Sequence, residues 1–135
     1  MNIVLDTNVL IAAFISPHGI CHEVFEICIY SHTLFTSNFI LTELRNKLKS
    51  KFNYSHEEIE EVIELLVSKL KVAEIKGTKI NICRDKDDNK ILATAIEVKA
   101  EVIISGDKDL LVLKKYKEVN ILSPREFYNS EKGIS

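Results

Sequence analysis

Four acidic residues stand where the chain changes direction. Asp6 follows the apolar run Asn2-Ile3-Val4-Leu5, and Asp107 follows Glu101-Val102-Ile103-Ile104-Ser105 with only Gly106 between. Both runs read as strands, so both acids are expected at strand carboxyl ends, the edge where open α/β sheets bind ligands. Asp88 belongs to the trio Asp87-Asp88-Asn89, which reads as the cap of a helix through Val98. That helix must start from the same edge if it crosses to the strand at Glu101. Glu43 rides on the flank of a helix whose apolar face is Ile40, Leu41, Leu44 and Leu48.

Taken singly, each Asp is a good helix cap and Glu43 an ordinary helical Glu. Gathered together they need another account. Carboxylates within about 4 Å repel by roughly 4 kcal/mol per pair at an effective dielectric near 20, and a fold keeps such a cluster when a cation neutralises it. An all-oxygen set selects hard ions, Mg²⁺ or Mn²⁺, which complete their shell with water and a phosphate. Zinc is disfavoured, because His18, His22, His32, His56 and the three cysteines lack zinc-ligand spacing. Those histidines are expected at the surface.

The elements that must position these acids follow from pattern. A helix is expected after Asp6-Thr7-Asn8 through Ile15, stopped by Ser16-Pro17-His18-Gly19, and a second from Ile20 to Tyr30. Thr33–Thr36 reads as a strand, and Ser37-Asn38 as the cap of the Glu43 helix. Ser55-His56-Glu57-Glu58 has capping-box spacing before a helix to about Leu70. Val72–Ile75 reads as a strand, 77–86 as irregular, Lys108–Leu113 as a short helix and Val119–Leu122 as a strand. A last helical turn follows Ser123-Pro124, and the polar tail from Asn129 to Ser135 is expected to be frayed or disordered. Strands separated by helices imply a three-layer α/β/α fold around a central parallel sheet, with one domain over residues 1–128.

The 135 residues, 46% hydrophobic and 28% charged, suit one globular domain. A net charge of -2 gives no global positive field, so a nucleic-acid partner must be held by a local patch. Arg45, Lys47, Lys49 and Lys51 follow Glu43 on one helix, while Lys108, Lys114, Lys115 and Lys117 follow Asp107. Arg45 and Lys49 first, and then Lys108, are the candidates for contacting the phosphates of such a partner. Little aromatic interleaving suggests weak base readout. Cys21, Cys28 and Cys83 form no CxxC pair, and the first strand starts at Asn2, which suits a reduced, cytoplasmic protein without a signal peptide. No apolar run approaches the ~20 residues of a membrane span.

Four blocks carry a resemblance. Leu5-Asp6-Thr7-Asn8-Val9-Leu10, Leu41-Thr42-Glu43-Leu44, Asp87–Ala95 and Ile104-Ser105-Gly106-Asp107-Lys108-Asp109-Leu110-Leu111 occur in this order between Asn2 and about Phe127. Together they resemble the acidic set of PIN-domain nucleases, and most of all the branch of toxins from toxin-antitoxin systems. The resemblance implies a parallel sheet of about five strands and an Mg²⁺- or Mn²⁺-dependent endoribonuclease acting on single-stranded or structured RNA. It implies Asp6, Glu43, Asp88 and Asp107 as catalytic metal-site residues, with Asp109 as an outer ligand. Asn8 and Ser105 fall where the family places supporting polar residues, and Asp85 is a further candidate ligand. Glu43 could bind a second ion or accept a proton from the attacking water. An antitoxin protein that blocks the cleft with an Arg, and a homodimer, are the implied partners. The alternative is a PIN-fold module that binds RNA or a partner with little turnover. A receiver domain is disfavoured because no Asp lies between Asp6 and Asp85, and an aspartate-nucleophile phosphatase because Asn8 stands where it needs a second Asp.

Overall fold

The computed structural model describes residues 1–76 and 80–134. In chain order its elements are β1 (Asn2–Leu5), α1 (Thr7–Ile15), α2 (Ile20–Ser31), β2 (Thr33–Ser37), α3 (Asn38–Ser50), α4 (His56–Lys69), β3 (Lys71–Ala73), α5 (Lys86–Glu97), β4 (Val102–Ile104), α6 (Lys108–Leu111), β5 (Lys115–Tyr116), β6 (Val119–Leu122) and α7 (Pro124–Lys132). The strands form one sheet in the order β3-β2-β1-β4-β6-β5. Every neighbouring pair is parallel except β5 with β6. The expected parallel sheet is therefore present, extended by a two-residue antiparallel strand. Its hairpin loop, Lys117-Glu118, puts Lys117 at φ 52°, a conformation usually signalled by Asn or Gly, so no turn residue announces it.

Consecutive strand residues point to opposite faces, yet Ile3, Val4, Leu5, Val102, Ile103 and Ile104 are all at most 4% exposed. β1 and β4 are thus covered on both sides, as the centre of a three-layer α/β domain should be. From β1 the chain steps outward through β2 to β3, then returns and steps the other way through β4 to β6. The reversal falls between β1 and β4.

Local chemistry sets the helix starts. Ser37 caps α3 by accepting the Ile40 N–H at 3.3 Å, and Ser55 with Glu58 closes the expected capping box on α4. α5 differs from expectation. Its cap is Asp85, which accepts the Asp87 N–H at 2.9 Å, so Asp88 and Asn89 lie inside the first turn. Asn89 is buried and accepts the N–H groups of Ile82 (3.2 Å) and Cys83 (3.0 Å), pinning the incoming segment onto the helix. Of the expected irregular stretch, residues 77–79 lie outside the described residues, and 80–85 contain neither helix nor strand.

Two further expectations need correction. The polar tail is not frayed through most of its length, since α7 runs to Lys132 and ends at Gly133, whose φ of 71° closes it. His22 and His32 are partly buried instead of lying on the surface. His32 accepts from the Met1 amino group (3.1 Å), donates to Glu131 (2.5 Å) and packs edge-on against Phe127. Cys21, Cys28 and Cys83 are free thiols, and burial pushes Cys28 up to about 12. Among the described residues, no helix is long and apolar enough to cross a membrane.

Candidate functional site

Crossovers leaving β1 and β4 in opposite directions open a crevice beyond the carboxyl ends of both strands. Asp6 stands at the first end and Asp107 at the second, and each caps a helix. Asp6 Oδ1 accepts the Asn8 N–H at 2.8 Å, and Asp107 Oδ1 accepts the Asp109 N–H at 2.8 Å. Capping does not account for the whole of either carboxylate, because the cap uses only one oxygen of each. Ser105 ties the two together. Its fully buried hydroxyl donates to Asp6 Oδ2 at 2.5 Å and accepts the Asp107 N–H at 2.9 Å.

Glu43 reaches the crevice from the side. α3 packs against α1, and the buried Thr7 hydroxyl donates to Glu43 Oε1. Glu43 is half-buried, not exposed, and Lys47 one turn on lies 3.7 Å from its Oε2. The same ammonium donates to Asn8 Oδ1 at 3.0 Å, so Asn8 serves the site twice: its backbone holds Asp6 and its side chain holds Lys47. α3 is also fixed to α5. Thr94 gives its hydroxyl proton to Lys90 O (2.9 Å), so Ser37 must donate to Thr94 Oγ1 across 2.8 Å.

Asp88 enters from the first turn of α5 and is 4% exposed, yet its Oδ2 is buried without a hydrogen-bond partner among the described residues. Burial, and then the charges of Asp107, Asp85, Asp6 and Asp109, push its carboxyl up to about 7. Asp6 is also raised, by burial above all, against the hydrogen bonds from Ser105 and Asn8. Glu43 is raised chiefly by burial. All three carry the signature of carboxylates held where their charge is poorly compensated.

Six carboxylates (Asp6, Glu43, Asp85, Asp87, Asp88, Asp107) and two ammonium groups (Lys47, Lys51) line a cleft of about 230 Å³. One oxygen each of Asp85, Asp88 and Asp107 comes within 4.8 Å of the others, close enough to share one cation. An all-carboxylate donor set with one orphaned buried oxygen fits a hard divalent ion, which would supply the missing partner and reverse the upward shift. The sequence-derived quartet is thus gathered at one cleft, and Asp85, left open as a candidate, joins it.

Other expected residues lie elsewhere. Asp109 is 2.8 Å from the Arg84 guanidinium and faces the rim. Arg45 points away from the cleft and pairs with Glu60 of α4 at 2.5 Å. Lys49 and Lys108 are exposed and do not line the cleft, whereas Lys47 and Lys51, on the same helix as Arg45 and Lys49, do. The i,i+4 spacing of 43, 47 and 51 carried that signal, since it puts both lysines on the ridge of Glu43. Thr7 and Asp87 also belong to the site. The sequence marks Asp87 only by its closeness to Asp85 and Asp88, and a threonine after a capping Asp is too common to single out.

The family profile of the PIN domain matches residues 2–109. The chain belongs to the PIN domain family. A Methanocaldococcus jannaschii protein described as uncharacterized is 36% identical over 148 aligned positions, with 100% of this chain and 95% of that protein covered. The PIN fold is shared with VapBC2 of Rickettsia felis bound to a promoter DNA fragment (TM-score 0.68, 15% identity, 91% of this chain and 98% of that one). It is shared also with VapBC-1 of nontypeable Haemophilus influenzae (TM-score 0.66, 20% identity, 93% and 99%). The third comparison is Mycobacterium tuberculosis VapC20, a toxin that cleaves the sarcin-ricin loop (TM-score 0.57, 16% identity, 87% and 98%). At these identities the three structures speak for the PIN fold alone.

Proposed function

We propose that this PIN domain is a divalent-metal-dependent endoribonuclease, working as the toxin of a toxin-antitoxin pair. The observation that carries the reading is the buried, unpartnered Asp88 Oδ2 beside Asp85 and Asp107 in a cleft that also holds Asp6 and Glu43. A cation held in the cleft would give that oxygen a partner.

Asp85, Asp88 and Asp107 are the proposed ligands of one Mg²⁺ or Mn²⁺ ion, with Asp6 joined to Asp107 through Ser105 and Asp109 outside the cleft lining. Such an ion, when bound, polarises a phosphoryl oxygen and lowers the pKa of its water. The chain's own groups do the rest. Ser105 fixes Asp6 and Asp107 relative to each other, so the cleft keeps its shape as a substrate enters. Thr7 holds Glu43 Oε1, leaving Oε2 as the acceptor for the proton of the attacking water. Lys47 and Lys51 line the cleft together with the acids and offset the charge of the RNA backbone. Lys49, Lys108 and Arg45 are proposed only as outlying contacts.

Resemblance to VapBC complexes and to a toxin that cleaves RNA supports the substrate class and an antitoxin partner. A homodimer belongs to the same proposal, and co-purification from native cells with light scattering tests both. The catalytic claim is tested by incubating a labelled single-stranded RNA with the protein in Mn²⁺, Mg²⁺ or EDTA, beside folded Asp6→Asn and Asp107→Asn variants. Metal-dependent cleavage lost in both variants is the expected result. Equal behaviour of wild type and variants across several RNAs would leave a binding module without turnover.

A further inference from the structure

The acidic cleft has a neighbour. Helix periodicity puts Glu43, Lys47 and Lys51 on one ridge of α3 and Thr42, Asn46 and Ser50 on the next. The second ridge borders a groove of about 290 Å³, near the lower end of ligand-sized cavities at about 300 Å³. Phe39, at the start of α3, and Lys90, from α5, form its far wall, while Glu43, Lys47 and Asp87 belong to both spaces. A chain leaving the acidic cleft past Glu43 enters this groove directly.

Its chemistry differs from that of the cleft. The Phe39 ring is partly exposed, and the Lys90 ammonium lies 5.5 Å from its centroid. That ammonium is held by a 3.7 Å pairing to Asp87 in which both side chains are more than 40% exposed, so it moves aside readily. Thr42 offers a hydroxyl and Asn46 a carboxamide along the wall. A ring, a mobile cation and short hydrogen-bonding side chains are what an unstacked base with its phosphate requires.

We infer that the Phe39–Lys90 groove is a base-binding subsite that seats the nucleotide next to the cleaved phosphate of a single-stranded RNA. The base takes the place of the ammonium on the Phe39 ring, and the released Lys90 meets the adjoining phosphate. Thr42 and Asn46 read the base edge and give the domain a preference at that one position. A duplex is excluded because its bases are already stacked and paired. The inference rests on the nuclease reading for its substrate, but it can be tested separately.

The test measures binding of a short fluorescent single-stranded RNA in Ca²⁺ by anisotropy, and its cleavage in Mn²⁺, for wild type, Phe39→Ala, Phe39→Tyr and Lys90→Met. Abasic RNAs, lacking one base at each position in turn, leave the protein untouched and so control for misfolding. Phe39→Ala should weaken binding and raise KM about tenfold, while Phe39→Tyr stays near wild type. Its kcat should hold within about twofold, because the contact is equal in ground and transition states. One abasic position should cost wild type the same factor and Phe39→Ala nothing more. Lys90→Met should lower the salt dependence of binding. Unchanged binding and cleavage by Phe39→Ala, or a flat abasic profile, would overturn the subsite. Phe39-dependent binding without cleavage would uphold the subsite and remove the nuclease reading. Absence of RNA binding by wild type would overturn both.

Discussion

The two edges of the same sheet handle polar groups in opposite ways. At the amino edge every named group has a partner: Asn2 N–H donates to Glu101 (3.0 Å), Asn2 Nδ2 to Val98 O (3.1 Å), and His32 joins the Met1 amino group to Glu131. At the carboxyl edge, six acids and two lysines line one cleft, and among the described residues one buried carboxylate oxygen is left without a partner. The first arrangement closes the fold and joins α7 to the start of β2. The second opposes folding, since burial and neighbouring charge raise Asp88, Asp6 and Glu43 together. A domain that satisfies its polar groups at one edge and leaves them strained at the other has separated stability from function.

That contrast is best broken at Asp88. Asp88→Asn should reduce metal-dependent cleavage by roughly 100-fold or more in an RNA assay, as loss of a ligand implies. In metal-free buffer near neutral pH the same change should raise Tm by a few degrees in a thermal scan, because it removes a buried charge. A raised folded-state pKa means stability that is complete below the ordinary carboxylate range and is lost as pH rises through the folded value, here about 7. The metal-free wild type should therefore melt progressively lower from about pH 4 to pH 8, and Asp88→Asn should flatten that slope. Mn²⁺ at about 100 times its Kd should restore ~2.7 kcal/mol, with the larger Tm gain at the higher pH.

Ser105→Ala comes next in size. It leaves every acid in place but removes the hydroxyl between Asp6 and Asp107, so cleavage should fall about 10–100-fold. At the other edge, His32→Ala should cost about 1 kcal/mol in chemical denaturation and leave kcat unchanged. The smallest effect separates two cations on one helix. Lys47→Ala should reduce the salt slope of RNA binding by about one, whereas Arg45→Ala, whose guanidinium pairs with Glu60, should leave it nearly unchanged.

The sequence carried the fold because its signals were local and consistent. Three-residue apolar runs gave β1 and β4, and Ser55 with Glu58 gave α4. β5 was hidden, since Lys115-Tyr116 is too short for alternation and its turn uses Lys117 with a positive φ. The acidic quartet was legible because strand ends and helix starts must share an edge in a parallel sheet. What could not be read were the partners that side chains meet across space. Helix spacing puts Lys47 on the ridge of Glu43 and Arg45 on another, but that Arg45 pairs with Glu60 and Lys47 with Asn8 follows from the packing of α3 on α4 and α1. Asp85 and Asp87 bracket Lys86, and which of them caps α5 depends on how Asn89 anchors the segment before it. Phe39 carries no signal of its own in the sequence, because a single aromatic at a helix start has no periodicity.

The central claim is that the orphaned oxygen of Asp88 is a cation ligand, and calorimetric titration of Mn²⁺ into wild type and Asp88→Asn tests it most directly. Runs between about pH 5 and 7, in two buffers of different ionisation enthalpy, would count the protons released. Wild type should bind Mn²⁺ more tightly as pH rises and release a proton on binding, while Asp88→Asn should bind weakly and release none. Wild-type binding with no pH dependence, or equal binding by the variant, would contradict the claim.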